Sequence, residues 1–281
     1  MAYLHFKFTT EELGEPALRL YPLACLHMGA AQCDVKFIDE QVARIEADPA
    51  ARWVYMGDGG ECVTKLSKGD VYAQLLSPKD QMRAVVDLLE PIRAKGLFGV
   101  RGNHGNRIYK ETGLDFDHNL CTILCIPYMG AAVMANLVVN RSSYDGYFHH
   151  GTDSGTHLAA KVAKAEAFGR FINADAIVTA HSHVAMDLQP AALLEADNNG
   201  RKMRTKLRHQ YICGSAYDSR TGYAEDRGYP PLLPSMIVIE FSGKIVEGRA
   251  KLAQSSRVYR SDGAHELAHD YVLDYIRNER G

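Results

Sequence analysis

No apolar run in this 281-residue chain approaches the length of a membrane-spanning helix, and the early charged and polar residues give no sign of a secretory leader. A cytoplasmic location with no membrane partner is therefore expected. Strong charge of either sign is also missing. The formal net charge of −2 argues against a general nucleic-acid coat, although it leaves room for a local basic groove. The six cysteines, at 25, 33, 62, 121, 125 and 213, form neither a CxxC pair nor a dense framework, which excludes a disulfide scaffold. Five are expected to be small buried thiols in a reducing compartment; Cys25 is set apart by its position. Repeats, low-complexity tracts and an obvious linker are absent, so residues 1–281 are expected to form one domain. What is present, 46% apolar and 23% charged residues, is the composition of an ordinary globular protein with a sizeable core.

Along the chain, strands are expected at Tyr3–Phe8, Leu18–Leu26, Trp53–Met56 and Leu97–Val100, with helices between the later ones. Asp34 is placed to cap a helix running to Ala47, and Ser77-Pro78 to start one running to Ala94. Strand, helix, strand within some forty residues signals a parallel βαβ unit. Glu61–Ser77 lacks periodicity and reads as a long loop over whatever site the strands build. A short helix is expected at Phe116–Cys125. From Ala131 the pattern turns antiparallel, with strands at Val133–Val139 and Tyr144–His149 around a turn at Asn140–Ser143. A helix at His157–Phe171, a strand at Ala176–Ala180, and strands at 203–213, 235–241 and 245–253 follow. A polar hairpin tip is expected at Asp197–Gly200, and a C-terminal helix at Ala264–Arg280.

Five polar clusters sit at or just past predicted strand ends: Cys25-Leu26-His27, Gly57-Asp58, Gly102-Asn103-His104, His149-His150-Gly151 and His181-Ser182-His183. Ligand crevices of open α/β sheets lie at the carboxyl ends of their strands, so such clusters can converge although far apart in sequence. The donor set suits two divalent cations. Asp58 can bridge with its two oxygens, Asn103 offers a neutral oxygen, and residues two apart on a strand end point to one side. Two-metal sites hold a phosphoryl group between the ions and stabilise its entering and leaving oxygens. His104 beside them could pass a proton to the leaving oxygen.

These clusters resemble the calcineurin-like metallophosphoesterase family, whose pattern is D-x-H, G-D, G-N-H-[E/D], H and G-H-x-H in that order. The likeness runs from residue 25 to 183. Gly102–Ile108 with the Ser77–Gln81 helix start resembles phage-type members. The resemblance implies an α/β fold of two mixed β-sheets packed as a sandwich with helices on both outer faces. It implies one metal on Cys25, His27, Asp58 and His183, and a second on Asp58, Asn103, His150 and His181. His104 would be the acid or substrate-orienting histidine. His150 is preferred to His149 because the family's ligand usually directly precedes glycine.

Three positions depart from the pattern. Cys25 replaces the opening aspartate; its thiolate suits zinc or ferrous iron better than magnesium, and RNA lariat debranching enzymes look similar there. The competing reading makes Cys25 a plain buried thiol beside a weak or missing first metal site. Gly105 stands where an acid usually follows the histidine, leaving Asp153 or Asp117 to supply the contact. Ala180 replaces a glycine, a small-for-small change. Arg107 is a candidate for the substrate phosphate, a solvated loop arginine being the plain alternative. The basic run Arg201–Arg208 is read as a solvated face that could also guide a polyanion. Tyr211–Tyr229 could wall the pocket or stack on a base, or simply pack a sheet edge.

The expected function is a binuclear metal-dependent phosphoester hydrolase using Mn, Zn, Fe or Ni, with a phosphodiester of a nucleic acid or nucleotide as first choice of substrate. The alternatives are a phosphomonoesterase on protein or nucleotide, and a metal-stabilised binding protein with weakened catalysis. An oligomer is not predicted.

Overall fold

The computed structural model describes residues 2–261 apart from 68, 153–154, 156, 197–202, 227, 247–248 and 251–253. The expected C-terminal helix and the hairpin tip at Asp197–Gly200 lie outside the described residues. Two mixed sheets form the centre. The first runs β1 (Ala2–Phe8), β5 (Ala132–Val139), β6 (Ser142–His149), β7 (Ala176–Thr179), β9 (Met203–Ile212), β8 (Met186–Ala196). The second runs β13 (Gln254–Arg260), β10 (Ser235–Ser242), β2 (Ala17–Leu23), β3 (Ala51–Tyr55), β4 (Gly96–Gly99). A two-stranded ribbon joins β11 (Ile245–Val246) to β12 (Arg249–Ala250). Helices are α1 (Thr10–Leu13), α2 (Val35–Ala47), α3 (Pro78–Leu89), α4 (Gly105–Thr112), α5 (Phe116–Ile123), α6 (Leu158–Phe168) and α7 (Tyr223–Asp226).

Period-two side-chain alternation explains the layering. Leu18 and Leu20 of β2, Val54 of β3 and Ile237 and Ile239 of β10 enter a core shared with Val133, Leu137, Phe148 and Val178 of the first sheet. Their neighbours Tyr21, Leu23, Trp53, Tyr55, Met236 and Val238 face the other way, onto Phe37, Ile38, Val85, Leu88 and Leu120 of α2, α3 and α5. On the far side, Tyr147 and Ile177 pack with Phe168 of α6. This is the expected sandwich with helices on both outer faces. The strands β2, β3 and β4 are mutually parallel, as are β6 and β7, so five strand ends meet at one edge of the sandwich.

Both predicted caps form: Asp34 accepts from Phe37 N–H and Ser77 from Asp80 N–H. Several boundaries need correction. The helix from Pro78 ends at Leu89 and tightens into a 3₁₀ stretch at Glu90–Lys95, because Pro91 cannot donate the α-helical hydrogen bond. The second-half helix spans only Leu158–Phe168, and the 245–253 strand is replaced by the short ribbon and by β13. Strand β8 and helix α4 were not expected; β8 hides its alternation behind Pro190 and a register shift between Leu188 and Ala191. All six cysteines are free, but Cys125 is exposed just past α5 rather than buried with the others.

Trp53 is fully buried, and its indole N–H donates to the Ile92 carbonyl at 2.7 Å. Trp53→Ala is expected to lower unfolding free energy by about 3–5 kcal/mol, through the lost ring and the orphaned carbonyl. Urea denaturation followed by circular dichroism reads it; a change under 1 kcal/mol, on the order of a surface substitution, would show that this layer is not the stabilising core.

Candidate metal centre

The five clusters converge. Cys25 and His27 follow β2, Asp58 follows β3, Asn103 and His104 follow β4, His150 follows β6, and His181 and His183 follow β7. The strand pleat does not aim the paired residues, contrary to expectation. Of the eight non-glycine residues with positive φ among those described, five are Cys25, His27, Asp58, His181 and His183. Each left-handed residue costs about 1–2 kcal/mol, and that strain gathers at functional sites. Two loops also touch backbone to backbone: a Cβ on Gly57 would lie 2.5 Å from Gly102 Cα, and one on Gly102 would lie 2.3 Å from Asp58 N. Only glycine at both positions lets Asp58 and Asn103 come together.

At the centre Asp58, 1% exposed, accepts the His104 N–H on Oδ1 at 2.8 Å. Its Oδ2 is buried without a hydrogen bond, 2.9 Å from His150 Nε2. His150 donates its Nδ1–H to the Met56 carbonyl at 2.6 Å, so a neutral imidazole presents a bare Nε2 to Asp58 Oδ2 and, at 3.0 Å, to Asn103 Oδ1. In that tautomer three acceptors share one point, which a cation or a proton on Nε2 can fill. Burial disfavours an imidazolium at His150, yet Asp58 beside it raises its pKa overall, as a cation-seeking cavity requires. A second such point lies between His27 Nε2 and His183 Nε2, 2.9 Å apart. Burial, with other histidines nearby, lowers both imidazole pKa values, leaving neutral nitrogens. The donor set therefore fits divalent cations. Ligand atoms of Cys25, His27 and His183 lie within 4.8 Å of one another, as do those of Cys25, Asp58 and His150.

The remaining predicted residues take individual places. Cys25 is fully buried; burial, then Asp58, push its thiol pKa up, and it accepts a hydrogen bond from the His181 backbone N–H. His181 stands at the rim, its ring 5.3 Å from that of His150. His149 faces away, packing on Phe168 at 4.8 Å. Tyr217 lies against the rings of His27 and His183 at 5.5 and 5.9 Å, forming one wall.

Sequence reasoning missed Glu61. Its carboxylate accepts from His27 Nδ1–H at 2.8 Å, lies 3.4 Å from His104 Nδ1, and takes Arg107 at 3.0 Å. Its carbonyl accepts from His104 Nδ1–H at 3.0 Å and from Arg107 at 2.7 Å. Holding Nδ1–H fixes the His27 tautomer that leaves Nε2 bare. Burial opposes ionisation of Glu61, but hydrogen bonds from His104 and His27 hold its pKa far below the usual carboxylate range. Asp58, against the same burial, is held low by His150, His104 and His27. Glu61 therefore does what was assigned to Asp153 or Asp117; Asp153 lies outside the described residues, and Asp117 binds Gly102 N–H and Tyr55 instead. A second carboxylate three residues after Asp58 was the available signal.

No family model matches the chain, and no curated protein does. Solved structures do. Calcineurin-like phosphoesterase YfkN from Bacillus subtilis aligns at 13% identity over 93% of this chain and 99% of that one, with a TM-score of 0.43. The chain is similar in architecture to that phosphoesterase. Vacuolar protein sorting 29 from Cryptosporidium parvum aligns at 13% identity over 87% of this chain and 99% of its own, TM-score 0.43. A protein serine/threonine phosphatase from Saccharomyces cerevisiae aligns at 11% identity over 95% and 85%, TM-score 0.38. Likeness of this degree bears on neither activity nor substrate, which have to come from the side chains.

Burial lowers the His104 pKa, while Asp58 and Glu61 raise it, and the carboxylates prevail. Glu61→Gln removes one of these charges, so the His104 titration midpoint is expected to fall in the metal-free protein. Histidine NMR titration measures it; an unchanged midpoint would show that Glu61 does not govern this imidazole.

Proposed function

We propose that this chain is a calcineurin-like metallophosphoesterase: a binuclear metal-dependent phosphoester hydrolase that cleaves phosphodiesters of a nucleic acid or nucleotide. The observation that carries the reading is the bare, buried Oδ2 of Asp58, facing His150 and Asn103 while Cys25, His27 and His183 gather beside it. Cys25, His27, Asp58 and His183 would hold one cation, and Asp58, Asn103, His150 and His181 the other. Such cations neutralise charge on the entering and leaving oxygens of phosphoryl transfer and acidify water.

The chain's own residues do the rest. His104, kept basic by Asp58 and Glu61 and held through Nδ1, carries a proton on Nε2 to the leaving oxygen. Arg107 gives two N–H groups to Glu61, and its Nη2 group can donate to His104 Nε2 only once that nitrogen has lost its proton, so it is free to meet a phosphate oxygen while His104 holds the proton. Preference for a diester rests on the Cys-x-His resemblance. The basic run contributes less, because Lys206 pairs with Asp175 and Arg208 with the Gly169 carbonyl. Six free thiols suit a reducing, cytoplasmic setting, and among the described residues no helix is long and apolar enough to cross a membrane.

Bis-p-nitrophenyl phosphate and p-nitrophenyl phosphate, each assayed with Mn, Zn, Fe and Ni, test the proposal. Faster turnover of the diester is expected, and His104→Ala should lower kcat by about 10²–10⁴-fold. Preference for the monoester would make the protein a phosphomonoesterase. Bound metal with no turnover of either substrate would leave a metal-stabilised binding protein.

A further inference from the structure

We propose that Asp117 is a positioning residue that sets the two ligand-bearing loops at their working separation; the inference rests on the metal-site reading above. Asp117 comes from α5, is fully buried, and belongs to none of the five clusters. Its Oδ2 accepts the Gly102 N–H at 2.9 Å, one residue before Asn103. Its Oδ1 accepts the Tyr55 hydroxyl at 2.5 Å, and that hydroxyl oxygen accepts the Gly59 N–H at 2.7 Å, one residue after Asp58. One carboxylate and one phenol therefore tie down the backbones that carry the bridging acid and the amide ligand. Asn103 and Asp58 must meet His150 within tenths of an ångström, so a slack link at either loop loosens the site.

Two observations separate this from ordinary helix anchoring. The N-cap of α5 is Asp115, which accepts from His118 N–H, so the helix does not need Asp117 for its own start. And Asp117 is a carboxylate in the interior whose hydrogen bonds all come from neutral donors, an expensive choice unless an acceptor-only group is required. Asparagine would turn one N–H toward another donor. The glycine that breaks the resembled pattern fits the same account. A Cβ at Gly105 would lie 2.9 Å from Asp117 Oδ2 and 3.3 Å from Phe116 Cβ. A side chain at 105 and the carboxylate of 117 compete for one space, and here the acid beneath the loop arrives from α5.

Titration calorimetry with Mn²⁺ on metal-free wild type, Asp117→Asn and Tyr55→Phe tests the proposal, with thermal melting of each metal-free protein alongside. Asp117→Asn is expected to weaken Mn²⁺ at the more weakly held site by about 10–100-fold, as losses of ligand-orienting partners do. Tyr55→Phe should weaken it in the same direction by removing the hydroxyl that joins Asp117 to the Gly59 N–H, while the Gly102 link stays in place. A purely structural role would lower the melting temperature and leave both Mn²⁺ affinities unchanged, which would overturn the proposal. Should Asp117→Asn fail to fold, Tyr55→Phe decides. Wild type that takes up no Mn²⁺ would bring down the metal-site reading itself, and this inference with it.

Discussion

A buried carboxylate that shares its space with other acceptors is the constraint on which the rest depends. Asp58 Oδ2, His150 Nε2 and Asn103 Oδ1 point at one another from three loops, and neutral groups alone cannot satisfy them. Burying a carboxylate costs several kcal/mol, offset here only in part by the His104 N–H and the facing histidines. The fold withstands that, and five left-handed backbone positions besides, because the site crowns two well-packed layers, the inter-sheet core and the helix-covered face of the second sheet. Stability resides in the layers and chemistry at their edge.

The division of labour among the acids follows from their surroundings. Asp58 and Glu61 are surrounded by histidines and stay ionised. Asp117, with burial as the main influence and only neutral donors, has its pKa raised to about 6. The first two set histidine tautomers and charge, whereas the third holds backbone. His104 lies where the Asp58 and Glu61 influences overlap, so its imidazole is kept basic without an acid at position 105.

Much of this was legible in the residues, and the failures have physical causes. The caps at Asp34 and Ser77 are local signals and both form, whereas the sandwich was implied by the resemblance that the five clusters carry. The clusters at 25–27, 58, 103–104, 150 and 181–183 could be found because each carries chemically distinctive side chains at a strand end. Glu61 could not be singled out in that way. A lone acid opening an aperiodic loop looks like solvated surface, and only tertiary folding places it against His27, His104 and Arg107. Asp117 was noticed but given the wrong contact, since nothing in sequence spacing shows that the Gly102 amide and the Tyr55 hydroxyl meet it. Cys125 was counted as core because burial of a thiol is a statistical habit and not a local instruction.

The central claim is that Asp58 joins two cations in one site. Metal counting by inductively coupled plasma mass spectrometry, on protein saturated with Mn²⁺ or Zn²⁺ and freed of excess, addresses it most directly when wild type is compared with Asp58→Asn. Two ions per chain in wild type, and loss of at least one in the variant with the fold retained, is the result the account predicts. One ion or none in wild type, or two ions retained without the Asp58 carboxylate, would contradict it.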